Sequence, residues 1–295
     1  SSINGKLQNK DLISSAKIFH RYAQVNGIMN KFQAGKFEIN SGDTTFEIIN
    51  TLVYGNPIAT KVTIPEGKNL YDIAKIFKSS EVIENERNFI QACKNKNLIN
   101  SLKIPAETVE GYLYPETYSF NPPNSSEEII KKLVQTFKQK TKDLDYSISN
   151  LSPHEVLILA SIVEKETGAS FERPRIAGVF FNRLKKGMRL QSDPTTIYGI
   201  IENFDGNLRK KDLLTTTPYN TYRISGLPKG PISNPGLESI KAVLDPEKHN
   251  YLFFVSQNDG THILSETYKN HLKAVNDYQK TPKARQGKSW RDLNQ

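Results

Sequence analysis

The segment Pro153–Thr167 constrains the fold more than any other. Ser152 is suited to cap a helix, and Pro153 suits its first turn, where a missing N–H costs nothing. Eight residues then run Val156-Leu-Ile-Leu-Ala-Ser-Ile-Val163, apolar almost all round. A helix without a polar face cannot lie on a surface. Other elements must wrap it, so the chain has to build a large core around this one rod. The rod ends Glu164-Lys165-Glu166-Thr167 before Gly168.

The composition permits such a core. Apolar residues make up 37% of 295, with 14 Phe and 13 Tyr, which rules out wholesale disorder. No apolar run approaches the roughly 18 residues that would span a bilayer. The sequence begins at Ser1 rather than Met, so a preceding segment is expected.

Helical spacing recurs at 11–26, 87–96, 125–138, 172–186, 238–243 and 265–279. The pattern predicts a strand, a glycine turn and a helix used twice near the start: Lys36–Gly42 with 43–53, then Lys61–Gly67 with Leu70–Phe77. This pattern argues for a small α+β module in residues 1–80. Tyr251–Ser256 reads as a strand, 188–235 as loop-rich, and the last dozen residues as a frayed basic end. No β-α-β alternation runs through the chain. An α+β class is expected, with a mostly helical second domain over 81–295.

Two glutamates compete at the end of the buried helix. Advancing about 100° per residue from Val156, Leu159, Ile162 and Val163 form the most apolar arc. Glu166 projects between Leu159 and Ile162, whereas Glu164 projects toward Ala160 and Ser161. Burial and a helix C-terminus both disfavour a carboxylate and raise its pKa. A carboxyl that keeps its proton near neutral pH is what a general acid in glycoside cleavage requires. The projection favours Glu166. A salt bridge to Arg173, Arg175 or Arg183 is the competing reading.

Downstream, Gln191, Ser192 and Asp193 bring donors and acceptors on a loop fixed by Pro194, followed by Tyr198, Asn220 and Tyr222. Aromatic rings interleaved with amides and hydroxyls suit carbohydrate, and equally suit ordinary turns. An earlier extended aromatic stretch, Glu110–Tyr118, brings Glu110 and Glu116 as further candidates.

Other chemistries lack their residues. One cysteine, Cys93, excludes an internal disulfide and multi-cysteine metal sites. The five histidines lack metal-ligand spacing, and no phosphate loop or Gly-x-Ser-x-Gly elbow occurs, so no metal or cofactor is expected. The net charge of +9 suits an anionic polymer, but no nucleic-acid module accompanies it, and nucleic acid is not expected as a partner.

Longer blocks carry a resemblance: Glu110–Tyr118, Ala160–Gly168, Ile176–Leu184, Met188–Gly199, Tyr219–Tyr222 and Gly226–Gly236. Together they resemble the MltG (YceG-like) endolytic murein transglycosylases, over about Phe32 to Tyr278. The resemblance implies a LysM-like module followed by a lysozyme-like catalytic domain. It also implies a single membrane helix outside this chain, with the catalytic domain in the periplasm or outside the cell. The implied reaction cleaves MurNAc–GlcNAc β-1,4 bonds within peptidoglycan strands to give 1,6-anhydro-MurNAc ends and to terminate strand elongation. Cell-wall synthases are implied partners. Lysozyme-like transglycosylases place Glu followed by Ser at a helix end, and Glu166-Thr167 matches that pair. Two departures stand out. Little chain precedes Asp11, so the module is expected to lack its first strand, and the family's His-x-Phe reads His262-Ile-Leu264 here.

On this reading Glu166 is the catalytic acid. Gln191, Ser192, Asp193, Tyr198, Asn220 and Tyr222 converge on it as substrate-binding residues, joined by Glu110 and Glu116. The chemistry uses one carboxyl group, so the absence of a close partner acid would favour it over hydrolysis. A catalytically inactive glycan-binding scaffold is the alternative.

Overall fold

A computed structural model describes residues 3–121 and 123–280. The frayed C-terminal dozen expected from sequence lies outside the described residues.

Three helices open the chain: α1 (Ile3–Asn9), α2 (Ala16–Val25) and α3 (Thr45–Tyr54). Thr44 and Glu47 form a reciprocal capping box on α3, so its start is locally encoded. These helices enclose a small apolar cluster of their own, with Phe19, Ile48 and Leu52 at its centre. The first half of the expected repeat forms no strand. In the segment 36–42, Lys36 O accepts the Ile58 N–H and Asn40 O accepts the Asp43 N–H, and no ladder forms.

The second half of the repeat does form, as β1 (Thr60–Thr63) and α4 (Leu70–Ser79). Its strand pairs far along the chain. β1 runs antiparallel to β2 (Thr117–Phe120), with Thr60 opposite Phe120 and Thr63 opposite Thr117. Between them lie α5 (Glu86–Cys93) and α6 (Lys96–Ser101), and α7 (Ser126–Thr141) follows. The single cysteine is buried on α5.

The apolar rod is α8 (Pro153–Glu166), capped by Ser152 and Glu155. All eight residues from Val156 to Val163 are buried. Around it pack α9 (Arg173–Lys185), α10 (Asp193–Gly199) and α12 (Leu237–Leu244), with the short α11 (Lys210–Leu214) leading into the later loop. One continuous apolar cluster joins α8 to α4, α5, α7 and both strands of the first sheet. A second hairpin, β3 (Phe253–Ser256) with β4 (His262–Ser265), lies against α9 through Phe254 and Phe180, and α13 (Tyr268–Val275) follows, continued by a short helical turn at Asn276–Lys280. The fold is therefore α+β, mostly helical with two small antiparallel sheets.

Candidate active site

The end of α8 is held from two sides, and the two glutamates go opposite ways. Glu164 Oε1 accepts Arg173 Nη2 at 3.0 Å, while Glu164 Oε2 accepts the Gly236 N–H at 2.9 Å. Arg173 also reaches Glu66 at 3.3 Å. An added Cβ at Gly236 would meet the Glu66 carboxylate, which would have to move aside. The salt bridge foreseen for one acid thus belongs to Glu164. Arg175 pairs with Glu247, and Arg183 donates to the carbonyls of Leu252 and Leu190.

Glu166 forms no ion pair among the described residues. It is partly exposed, and its Oε1 accepts the Ser192 hydroxyl at 2.5 Å. Burial pushes its pKa from 4.5 up to about 7. The Ser192 bond opposes this by favouring the carboxylate, Asp193 raises the value further, and Arg183 lowers it.

Ser192 is fixed with unusual care. Its N–H donates to Thr221 Oγ1 at 2.9 Å, and its carbonyl accepts from Thr195 Oγ1 at 2.6 Å. Just before it, Gln191 adopts φ +50°, a left-handed conformation that non-glycine residues seldom hold. Gln191 is exposed and donates its N–H to Thr221 O. Beyond it, exposed Asp193 accepts the Tyr222 hydroxyl at 2.7 Å, and burial pushes that phenol's pKa up. Gln191, Ser192, Asp193 and Tyr222 therefore gather at the end of α8 with Glu166.

The remaining candidates lie elsewhere or spend their polar atoms internally. Asn220 is fully buried: its amide donates to the carbonyls of Leu213 and Thr215, and its oxygen accepts from Thr196 and the Tyr222 N–H. It shapes the loop and offers nothing to a substrate. Glu110 is 1% exposed and needs the same correction. Its oxygens accept Leu70 N–H at 2.9 Å, Asn234 Nδ2 at 2.7 Å and Tyr198 OH at 2.9 Å. Tyr198 thereby spends its hydroxyl inside the protein. The turn that buries Glu110 depends on Gly111, at φ +87° with Pro231 where a Cβ would stand. Glu116 is exposed at the start of β2, held by Lys140 at 2.9 Å, which pulls its pKa down. No contact links it to Glu166.

Sequence reading also misjudged Thr167. Its buried hydroxyl faces Ala169 O and Glu172 Oε2 at 3.3 and 3.4 Å and accepts the Ala169 N–H. The hydroxyl beside the acid is that of Ser192. Glu172 also binds the His262 ring and N–H, at 2.8 and 3.0 Å, and so ties β4 to the turn after α8. The tie was missed because these residues stand 90 apart in sequence. Their only signal was the departure noted at His262.

A model of the YceG-like family matches residues 1–277. The chain belongs to the YceG-like family. The endolytic murein transglycosylase of Bacillus subtilis (strain 168) is 36% identical, over 94% of this chain and 81% of the relative. That of Streptococcus pneumoniae (strain ATCC BAA-255 / R6) is 29% identical, and here the chain spans only 56% of the relative's length. A crystal structure of a YceG-like protein from Listeria monocytogenes is similar with a TM-score of 0.67, at 34% identity over 92% of this chain and 94% of that one. The YceG-like blocks Ala160–Gly168, Met188–Gly199 and Tyr219–Tyr222 thus meet around one carboxyl group.

Proposed function

We propose that this chain is a lytic transglycosylase that cuts peptidoglycan glycan strands internally, at MurNAc–GlcNAc β-1,4 bonds, leaving 1,6-anhydro-MurNAc ends. The observation that carries the reading is Glu166: a partly exposed carboxyl, unpaired by any cation among the described residues, whose proton is held up to about pH 7. Glu166 gives its proton to the leaving glycosidic oxygen as the C1–O bond breaks. The resulting carboxylate takes the proton of the C6 hydroxyl as that oxygen bonds to C1. The Ser192 hydroxyl supports the carboxylate stage, because a donor stabilises the charged form. One group serves both half-steps, and no water is consumed.

The relatives named as endolytic murein transglycosylases support this assignment. In the same reading, residues 1–80 form a LysM-like module that holds the strand and 81–295 form the catalytic domain. The strand-turn-helix at 60–79 supports the first part, and the buried helix ending in an acid supports the second. The enzyme works outside the cytoplasm on a membrane anchor and ends nascent strands beside cell-wall synthases. No described helix is long and apolar enough to cross a membrane. An inactive scaffold would have no need of an accessible, proton-holding Glu166.

One observation favours hydrolysis instead. Asp193 is a second carboxylate within electrostatic reach of Glu166, as the paired acids of glycosidases are. Digestion of purified sacculi, read by mass spectrometry, separates the readings. Anhydro-muropeptides are expected from the wild type and not from Glu166→Gln. Products carrying one added water would identify a hydrolase, and an undigested sacculus would identify a scaffold.

A further inference from the structure

A cavity of about 470 Å³ lies between α4 and α10, and no site residue considered so far except Tyr198 borders it. One wall comes from the N-terminal half of the chain, with Tyr71 and Lys75 on α4. The other comes from the catalytic half, with Pro194 and Tyr198 on α10 and Phe204 just beyond it. Lys165, from the end of α8, also lines it.

Its position relates it to the acid. Lys165 is the covalent neighbour of Glu166, and Pro194 stands two residues from Ser192. Consecutive Cα atoms are 3.8 Å apart, so the Pro194 rim lies within about 8 Å of the Ser192 that holds the acid. Its chemistry is amphipathic. Tyr71, Tyr198 and Phe204 give rings, and Asn69, Asp72, Lys75, Glu86 and Lys165 give donors and acceptors in its lining. Sugar rings have flat apolar faces bordered by hydroxyls, and match such a surface. The volume lies low in the range of small-ligand pockets, roughly 300–1,000 Å³, which suits a short stretch of saccharide rather than a folded partner. The rings are also held in place. Tyr71 meets Tyr198 edge-on at 6.5 Å, and its hydroxyl accepts from Lys94 at 3.2 Å. A rigid platform loses little freedom on binding.

We propose that the α4–α10 cavity is a saccharide subsite that holds N-acetylhexosamine units of the strand next to the bond that Glu166 acts on. The proposal rests on the transglycosylase reading for the identity of the strand. It makes α4 a wall of the substrate groove, so that both halves of the chain grip one glycan.

The test is calorimetric titration of tetra-N-acetylchitotetraose into full-length Glu166→Gln protein, which binds without turnover. Phe204→Ala and Tyr71→Ala, each added to that background, are expected to weaken binding about tenfold, as loss of a buried aromatic anchor does. Ile148→Ala, at an exposed residue away from the cavity, is expected to stay within twofold. Phe204 lies outside the apolar core, so its variant decides the matter if Tyr71→Ala fails to fold. Unchanged affinity in Phe204→Ala, at unchanged melting temperature, overturns the subsite. Sacculus digestion by the wild type is scored separately. Absence of anhydro ends there overturns the acid chemistry, while the titration still decides the subsite.

Discussion

Glu110 and Glu166 have the same pKa, about 7, and for the same leading cause, burial. Their surroundings differ completely. Glu110 is enclosed by three donors: the N–H at the start of α4, an amide from the Gly226–Gly236 loop and a phenol from α10. It joins three distant segments into one body. Glu166 is partly open and accepts a single hydroxyl. An elevated pKa therefore does not by itself mark a catalytic acid. Oxygen atoms left free for a substrate do.

The comparison breaks first on activity. Glu166→Gln keeps the shape and removes the transferable proton. General acid–base assistance contributes roughly 10²–10⁴-fold, and in the proposed reaction one group serves both steps, so a loss at or above the upper end is expected, with the melting temperature preserved. Glu110→Gln, measured by the same release of anhydro-muropeptides, is expected to stay within several-fold. Equal losses in the two would erase the distinction. Stability reverses the order. Glu110→Ala leaves Leu70 N–H, Asn234 Nδ2 and Tyr198 OH without their acceptor. Each buried unsatisfied group costs about 1–3 kcal/mol, so a loss of about 3 kcal/mol or more is expected, read as a fall of roughly 6–12 °C in Tm. Glu110 also binds its proton more tightly folded than unfolded. Its stabilising contribution is full below about pH 4.5 and is lost as pH rises through about 7.

Helix α8 was legible because its cause is local: an apolar run, a capping box and a proline at the first turn. Projection also separated the two glutamates at its end, and the structure gives the ion pair to Glu164 and the Ser192 hydroxyl to Glu166. The partners of Glu110 were not legible. They stand 40, 88 and 124 residues away, and nothing in Glu110–Tyr118 announces which carboxylate will be enclosed. The repeat misled for a related reason. Lys36–Gly42 and Lys61–Gly67 share a pattern, but a strand needs a partner, and β2 pairs only with the second. β4 was missed outright, since four residues between a turn and a helix carry too short an alternation to register.

A smaller effect sharpens the account of Glu166 itself. The acid must enter the reaction protonated, so activity is expected to fall as pH rises through about 7. The Ser192 hydroxyl favours the ionised form and holds that limit down. Ser192→Ala is thus expected to move the alkaline limb of the pH–activity profile to higher pH, while the rate at the optimum drops about tenfold through lost support of the carboxylate stage. A limb that stays in place or moves to lower pH would show that Ser192 does not set the acid's proton affinity.

The smallest expected effect on activity concerns the glutamate one half-turn away. The Glu164 side chain is 5% exposed, and both its oxygens are used, by Arg173 and by the Gly236 N–H. Replacing it with Gln puts an NH₂ where an oxygen stood, so either Arg173 or the Gly236 N–H meets a donor. Arg173 still has Glu66 at 3.3 Å, which limits the damage to part of the cost of breaking a buried pair, about 1–3 kcal/mol. Glu164→Gln is therefore expected to melt several degrees lower yet, assayed well below its Tm, to release anhydro-muropeptides within several-fold of wild type. A stable Glu164→Gln protein as inactive as Glu166→Gln would move the acid chemistry to the Arg173 side of α8. A result within several-fold leaves it with the carboxyl that faces Ser192, because the two glutamates share a helix turn and differ chiefly in whether a cation already occupies them.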